Sequence, residues 1–443
     1  MEEVVNGQKV LVPEVFLAQV RSEDLRSDGA LIVGGEVELY SKQDIKNMGN
    51  IKSDGTVALR AENVGNKGDI AGKNLKIKAE KNITNSGTMR AKADALLQAE
   101  NITNEAATSE TQYRELNQKK IEATGSISAG QNLTLEAGKN ITNKGANLTA
   151  GKNLTLNADD VDIVTVAKEK HVAVAYGSSS AEIHDVQHQQ SALSGENIRL
   201  NAKKDISIAG GILSAKNDVE LNAKGDVNLT AVKDLYSEES EVGKRGSSYY
   251  NHNKQVDEAV KGTTIAAKND ISIASGKEIN IKGSNVASEA GKADLTAENN
   301  INIANETEYH ERLHEEHNKV SGILLSKTTD IYDYSKQNTV VGSSIENSNS
   351  VYNAQEKHEF KRTGLSVSVG GNYVDFANNV ANSVKHAADV EDKRLGALVA
   401  VKGYKDVDKA IKNIKGNGGG KVCRNLSRTR IWATGCCTNS LGV

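Results

Sequence analysis

Aromatic residues make up only 4% of the 443 residues, with 3 Phe and 1 Trp. A wide globular core normally draws on large rings, so composition argues against two or three ordinary globular domains. Proline is nearly absent: Pro13 stands alone and breaks the apolar segment Val10–Val15, which then reads as an edge strand or extended connector. The 3 cysteines, Cys423, Cys436 and Cys437, all lie in the last stretch. The body therefore has no disulfide framework, which suits a staple-free extracellular fibre and a cytosolic protein alike. Neither charge sign dominates, with 55 basic against 58 acidic residues and a net charge of −3. No basic stripe supports nucleic-acid binding, and no apolar run reaches membrane-spanning length. Residues Met1–Val10 lack the basic start and apolar stretch of a signal peptide, so the chain as written is expected to carry no export address of its own.

What the chain does contain is a recurring phrase. It reads Ala71-Gly-Lys-Asn-Leu-Lys-Ile-Lys-Ala79, then Ala129-Gly-Gln-Asn-Leu-Thr-Leu-Glu-Ala137, then Ala150-Gly-Lys-Asn-Leu-Thr-Leu-Asn-Ala158. Looser copies start at Ser194, Ala215 and Ala267. Each is a small turn, an apolar–polar–apolar alternation and a closing small residue, which is one strand of a repeated coil. Val37-Glu-Leu39, Val57-Ala-Leu59 and Leu75-Lys-Ile77 space these units at roughly twenty residues. Between them lie Asn/Gly corners, such as Asn47-Met-Gly-Asn50 and Asn82-Ile-Thr-Asn85, where stacked asparagines can bond to identical neighbours. The pattern predicts an all-β fold: a parallel β-helix, right-handed by the usual crossover rule, with a thin aliphatic bore. About ten rungs over residues 30–305 would give a rod on the order of 50 Å.

The expected organisation is a lead-in over 1–29 and coils over 30–305 with insertions at 167–193 and 232–264. A His/Tyr-rich excursion with the last strands follows over 306–369. The insertions and this excursion read as hairpins or loops leaving the rod on one face. Three- and four-residue apolar spacing then predicts an amphipathic helical tail over 370–415 that caps or tethers. Residues 416–443, Gly-rich and then unlike the rest, read as a linker scar or a shifted frame.

Four stretches carry a family likeness: Val5–Val15 with Gly29–Gly35; the Ala-Gly-Lys-Asn-Leu phrases with Asn-Ile-Thr-Asn corners; Lys319–Leu324 before Val341–Ile345; and Thr363–Ser368 with Asp392–Leu398. Together they resemble the haemagglutinin-repeat region of filamentous haemagglutinin-like exoproteins, the secreted partners of two-partner secretion that include contact-dependent growth inhibition toxins. The resemblance implies export through an outer-membrane transporter, a surface fibre, and adhesion to a host-cell or target-bacterium receptor or presentation of a C-terminal toxin. The family's N-terminal secretion domain and any recognisable toxin domain are missing, so the chain is expected to be an internal or truncated piece.

Several motifs invite sharper readings. His310-Glu-Arg-Leu-His314 fits H-E-x-x-H, in which a helix sets two histidines on one face for zinc and Glu311 activates water. The third ligand of the long form would fall at Val320, and the flanks are charged, so a solvated His/Glu excursion is the preferred reading. Asn82, Asn132, Asn140 and Asn153 head glycosylation sequons that the repeat generates by itself. Gly418-Gly-Gly-Lys421 fails phosphate-loop spacing. No catalytic residue or cofactor is assigned. The expected function is a non-catalytic shaft and adhesive segment, and the alternative is the stalk of a contact-dependent toxin. Contacts are expected at Tyr249, Tyr250, His310, His314, Tyr332 and Tyr334.

Overall fold

The computed structural model describes residues 2–5, 8–11, 30–322, 326–346 and 351–354. The expected helical tail, the strand at Leu365–Val369 and the segment 416–443 lie outside the described residues. Near the start, Glu2–Val5 pairs antiparallel with Gln8–Leu11.

From Leu31 the chain winds as a parallel β-helix. One face is an eleven-stranded parallel sheet that begins at Leu31–Gly34 and ends at Ser344–Glu346. The other two faces are carried by longer strands that bend midway, such as Thr56–Asn66 and Asn74–Asn85. Each rung stacks on the last in register. On the first face Ile51, Ile70, Met89, Ile127, Leu148 and Leu193 lie one above another, and the column continues through Leu213, Ile265, Val286 and Ile345. A second column runs Leu59, Ile77, Leu97, Leu135, Leu156 and Leu200. These side chains are buried. Alternation along each strand turns one residue in two into the bore, and burying each Leu or Ile contributes about 1.5–3 kcal/mol. A single rung has nothing to bury them against, so the stabilisation belongs to neighbouring pairs. Ile32, in the lowest rung, is 44% exposed because no described rung lies beneath it.

The corners are polar, and two asparagine columns behave differently. Asn47, Asn66, Asn85, Asn104 and Asn143 point inward and are buried. Each Nδ2 donates to the next Oδ1 at 2.7 Å, and neighbours in the first three steps are 19 residues apart. At Ile163, which stacks on Asn143, the column turns apolar. From there the corner is held by hydroxyls instead: Ser191 Oγ donates to Val164 O, Thr263 Oγ1 to Ile208 O and Ser343 Oγ to Ala304 O. The second column, Asn63, Asn82, Asn101 and Asn140, makes similar amide bonds in solvent. Three sequon asparagines, Asn82, Asn140 and also Asn101 of Asn101-Ile-Thr103, therefore sit in an exposed ladder. A third column links Asn132 to Asn153 and Asn197, so the sequon asparagines Asn132 and Asn153 are laddered as well.

Among the described residues the chain leaves the coil four times. The hairpins are Ala107–Tyr113 with Leu116–Ala123, Val166–Tyr176 with Ser179–Gln189, Val232–Gly243 with Tyr249–Lys261, and Glu306–Ser321 with Ser326–Val341. They pair edge to edge, in chain order, into one eight-stranded antiparallel sheet beside the coil. The first hairpin falls where the sequence was read as unbroken coil. It has no histidine to mark it, and its sign is a doubled gap between the stacked Met89 and Ile127.

Candidate functional site: a lateral sheet and an axial groove

The lateral sheet holds all seven described histidines, and each has a carboxylate oxygen within 4 Å, the longest contact being His314 Nε2 to Glu316 at 3.9 Å. His171 Nε2 lies 2.8 Å from Glu182, and His184 Nε2 lies 2.8 Å from Glu169. His171 and His184 are themselves cross-strand partners, so the two His–Glu contacts run diagonally across one strand pair. His188 faces Asp234 at 3.1 Å, His252 faces Glu239 at 2.8 Å, and His317 meets Asp330. Burial pushes the Asp234 carboxyl up, but the ring and backbone N–H of His188 and the charge of Lys261 prevail and hold it below the usual carboxylate range.

The H-E-x-x-H sequence lies in the strand Glu306–Ser321, not in a helix. Four residues of strand separate His310 from His314 by about 13 Å, whereas one helical turn would bring them together. Glu311 points to the opposite face from both. His310 Nδ1 lies 3.0 Å from Asp257, and His314 Nδ1 lies 2.6 Å from Asn253 Oδ1. Glu311 bonds Lys254 Nζ at 2.9 Å, and this bond together with that from Tyr334 holds its carboxyl below the ordinary range. Among the described residues no cluster of three or more His, Cys, Asp or Glu is placed to hold a metal.

The four tyrosines divide. Tyr332 and Tyr334 stand two apart on the last strand, 69% and 46% exposed, with ring centroids 6.5 Å apart. Tyr249 is also exposed. Tyr250 is not available for contact, being only 3% exposed. Its ring lies under the Arg245 guanidinium, 5.8 Å from the centroid, and Arg245 in turn pairs with Glu315. Burial and the Glu241 hydrogen bond push the Tyr250 hydroxyl up. A Tyr-Tyr dipeptide gives no indication which ring is covered; alternation forces one to each face.

Sequence reading did not find the second feature. The small residue closing each phrase lies at the bend between two faces: Ala79, Ala99, Ala137, Ala158, Ala202 and Ala223 stack along the rod. Their short side chains leave a groove of about 840 Å³. Six rungs at the usual strand spacing make it about 24 Å long. Its walls carry laddered amides and acids: Gln98 donates to Glu136 at 2.7 Å, Asn201 to Asn157 at 2.8 Å and Asn222 to Asn201 at 3.2 Å. Lys78, Lys203 and Lys224 lie beside them. Such a surface offers repeated donors and acceptors at rung spacing and suits hydroxyl-rich, extended ligands.

Residues 18–106 match the haemagglutinin repeat family, and a second haemagglutinin repeat description matches 113–173, 172–249 and 242–372. These matches cover well over half of the chain. The chain belongs to the haemagglutinin repeat family. The boundaries of its repeats follow the geometry: 113 lies at the tip of the first hairpin, 173 close to the tip of the second, and 242–249 spans the tip of the third. One repeat thus runs down a hairpin strand, around the coil, and out along the next hairpin. Among curated proteins this haemagglutinin-repeat chain is similar to "tRNA nuclease CdiA-2" of Burkholderia pseudomallei, 23% identical over 74% of the chain and 11% of that protein. It is similar to "tRNA nuclease CdiA" of Escherichia coli, 31% identical over 31% of the chain and 4% of that protein. It is also similar to "Toxin CdiA" of Yersinia pestis, 26% identical over 52% of the chain and 9% of that protein. The chain therefore spans about a tenth or less of the length of these relatives. No solved structure matches it. Haemagglutinin repeats stacked into a rod make this chain a shaft segment.

Proposed function

We propose that this shaft segment belongs to a large exoprotein exported by two-partner secretion through an outer-membrane transporter and held at the bacterial surface. Its role is mechanical and adhesive rather than catalytic. It is organised as a lead-in over 1–29, coils over 30–305 interrupted at 107–123 as well as at 167–193 and 232–264, and an excursion with the last strands over 306–369. The segments 370–415 and 416–443, read from sequence as a helical tail and a Gly-rich end, lie outside the described residues. The observation that carries the reading is the pairing of four hairpins, from distant parts of the chain, into one sheet on the flank of a rod. A rod with a continuous lateral sheet presents many weak contacts at once, and such contacts gain by multivalency. Tyr249, Tyr332 and Tyr334, with His310 and His314, are the contact residues for a receptor on a host cell or target bacterium.

The toxin names of the curated relatives favour a second reading, in which the same rod is the stalk of a contact-dependent growth inhibition protein. In that case the nuclease named for those relatives belongs to another part of the protein. The test is binding of the purified chain, immobilised in an array, to erythrocytes, epithelial cells and related bacteria. The adhesive reading expects saturable binding that falls at least tenfold in Tyr332→Ser/Tyr334→Ser. Binding to no cell type, or binding unchanged in the variant, sinks the adhesive assignment. Binding to related bacteria alone would favour the stalk.

A further inference from the structure

The lateral sheet has an open edge. The strand Ser326–Val341 is 16 residues long, pairs on one side with Glu306–Ser321, and has no partner on the other among the described residues. It has no proline, and Ile331, Tyr332, Tyr334 and Val340 are exposed along it. A long, straight edge of this kind is a template for another strand.

We propose that residues 363–369, Thr-Gly-Leu-Ser-Val-Ser-Val, add to this edge as a ninth, antiparallel strand. Three observations converge on that segment. The first is the point at which the chain leaves the coil. Each hairpin begins five residues after the first inward residue of the rung's last face: Ala107 after Ile102, Val166 after Val161, Val232 after Val227 and Glu306 after Ile301. In the last rung Val351 stacks on Asp294. Carried forward from that pair, the counterpart of Ile301 is His358 and the counterpart of Glu306 is Thr363.

The second observation is the register between hairpins. The pairing Val186↔Leu235, extended along its strands, sets Gln189 opposite Val232. The pairing Asp257↔His310, extended likewise, sets Lys261 opposite Glu306. At these two junctions the last residue of one hairpin faces the first residue of the next; at the first junction Leu116↔Val172, extended likewise, sets Ala123 opposite Thr165, one residue before Val166. Applied once more, Val341 faces Thr363, and Leu365, Val367 and Val369 fall opposite Thr339, Gln337 and Ser335. The third observation is the family match ending at residue 372, as earlier matches end at or near hairpin tips. The alternation of Leu365-Ser-Val-Ser-Val369 is that of a strand.

The lateral sheet is then an assembly that grows by one hairpin at a time, each new strand closing the edge left by the last. This inference concerns the chain's own continuation and stands apart from any receptor.

The test uses the full chain with Cys423, Cys436 and Cys437 replaced by Ser. Gln337→Cys with Val367→Cys places two thiols across the expected pair, where cross-strand Cα atoms lie about 4.5–5.5 Å apart. Ile331→Cys with Val367→Cys is the control, six residues out of register. At low micromolar protein under mild oxidation, the first pair should form an intramolecular disulfide and the control should not, as read by peptide mass. In the cysteine-free chain, the amides of residues 335–341 that face the open edge, those not bonded to Glu306–Ser321, should resist hydrogen exchange, and Val367→Pro should abolish that protection. Three results would overturn the proposal: equal cross-linking in both pairs or in neither; a disulfide found only between two chains; or edge protection that survives Val367→Pro.

Discussion

Replacing Asn85 by Ala tests whether the buried asparagine column holds the early rungs together. Asn85 accepts from Asn66 at 2.7 Å and donates to Asn104 at 2.7 Å, and it also reaches Gly87 O and Ser126 O. Its side chain is fully buried, so water cannot replace these bonds. Two ladder bonds at a net ~1 kcal/mol each, plus ~1–3 kcal/mol for the Asn104 oxygen left without its donor, give a loss of about 3–5 kcal/mol. Asn66 keeps Gly68 O and Thr88 O as acceptors, which limits the damage on its side. Asn82 is the internal control. It makes the same amide contacts with Asn63 and Asn101, but in solvent, and Asn82→Ala should stay within about 0.5 kcal/mol. A stack of rungs opens locally, so the proper assay is native-state hydrogen exchange rather than a single melting point. At 1.4 kcal/mol per tenfold, amides of Asp69–Gly72, Thr88–Ala91 and Ser126–Ala129 should exchange roughly two to three and a half orders of magnitude faster in Asn85→Ala. Amides in Ile271–Ser275, far along the rod, should not change. Equal effects from Asn85→Ala and Asn82→Ala, or less than tenfold acceleration around Asn85, would refute the assignment.

Gly87→Ala should destabilise the same rungs, because an added Cβ would lie 2.2 Å from Gly68 O in the rung below; unchanged hydrogen exchange in Asp69–Gly72 and Thr88–Ala91 would contradict that close approach. Leu135→Ala should cost about 2–5 kcal/mol, since it empties a fully buried position in the column from Leu97 to Leu156; a smaller loss in denaturant titration would mean that the bore collapses around the gap. Acid should loosen the lateral sheet before the rod. Asp234, Asp257, Glu306 and Glu311 are all held below the ordinary carboxylate range when folded, so their stabilisation is present above about pH 4 and is lost as pH falls through the lowered values. Asp162, in the coil, is shifted the opposite way by burial and by Asp160 and Asp205, and so does not share in that loss. Limited acid proteolysis near pH 3 should cut within the hairpins first, and simultaneous cutting of coil and hairpins would count against this order. Zinc titration should give the same isotherm for the chain and for His310→Ala/His314→Ala, because a strand holds the two rings too far apart for one ion; stoichiometric zinc lost in the variant would overturn that reading.

The coil was legible because its physics is local and periodic. Alternation in Leu75-Lys-Ile77 or Leu133-Thr-Leu135 fixes which residues face inward, and a repeat near twenty residues fixes what stacks on what. The asparagine corners were visible too, but burial was not: Asn82 and Asn85 sit three apart at one corner, and only the path of the bend sends one into water and the other into the bore. The lateral sheet could not be read in advance. Its pairings join residues such as Val186 and Leu235 across an intervening stretch of coil, and such pairing leaves no period in the sequence. The same sheet decided that His310 and His314 stand on an extended strand, that Tyr250 is covered while Tyr249 is not, and that the first hairpin exists at all. The groove depends likewise on six alanines stacking at a bend. Sequence by itself determined the repeating unit, because each rung carries its own pattern. The tertiary structure decided what the rod displays, because that depends on which distant excursions meet.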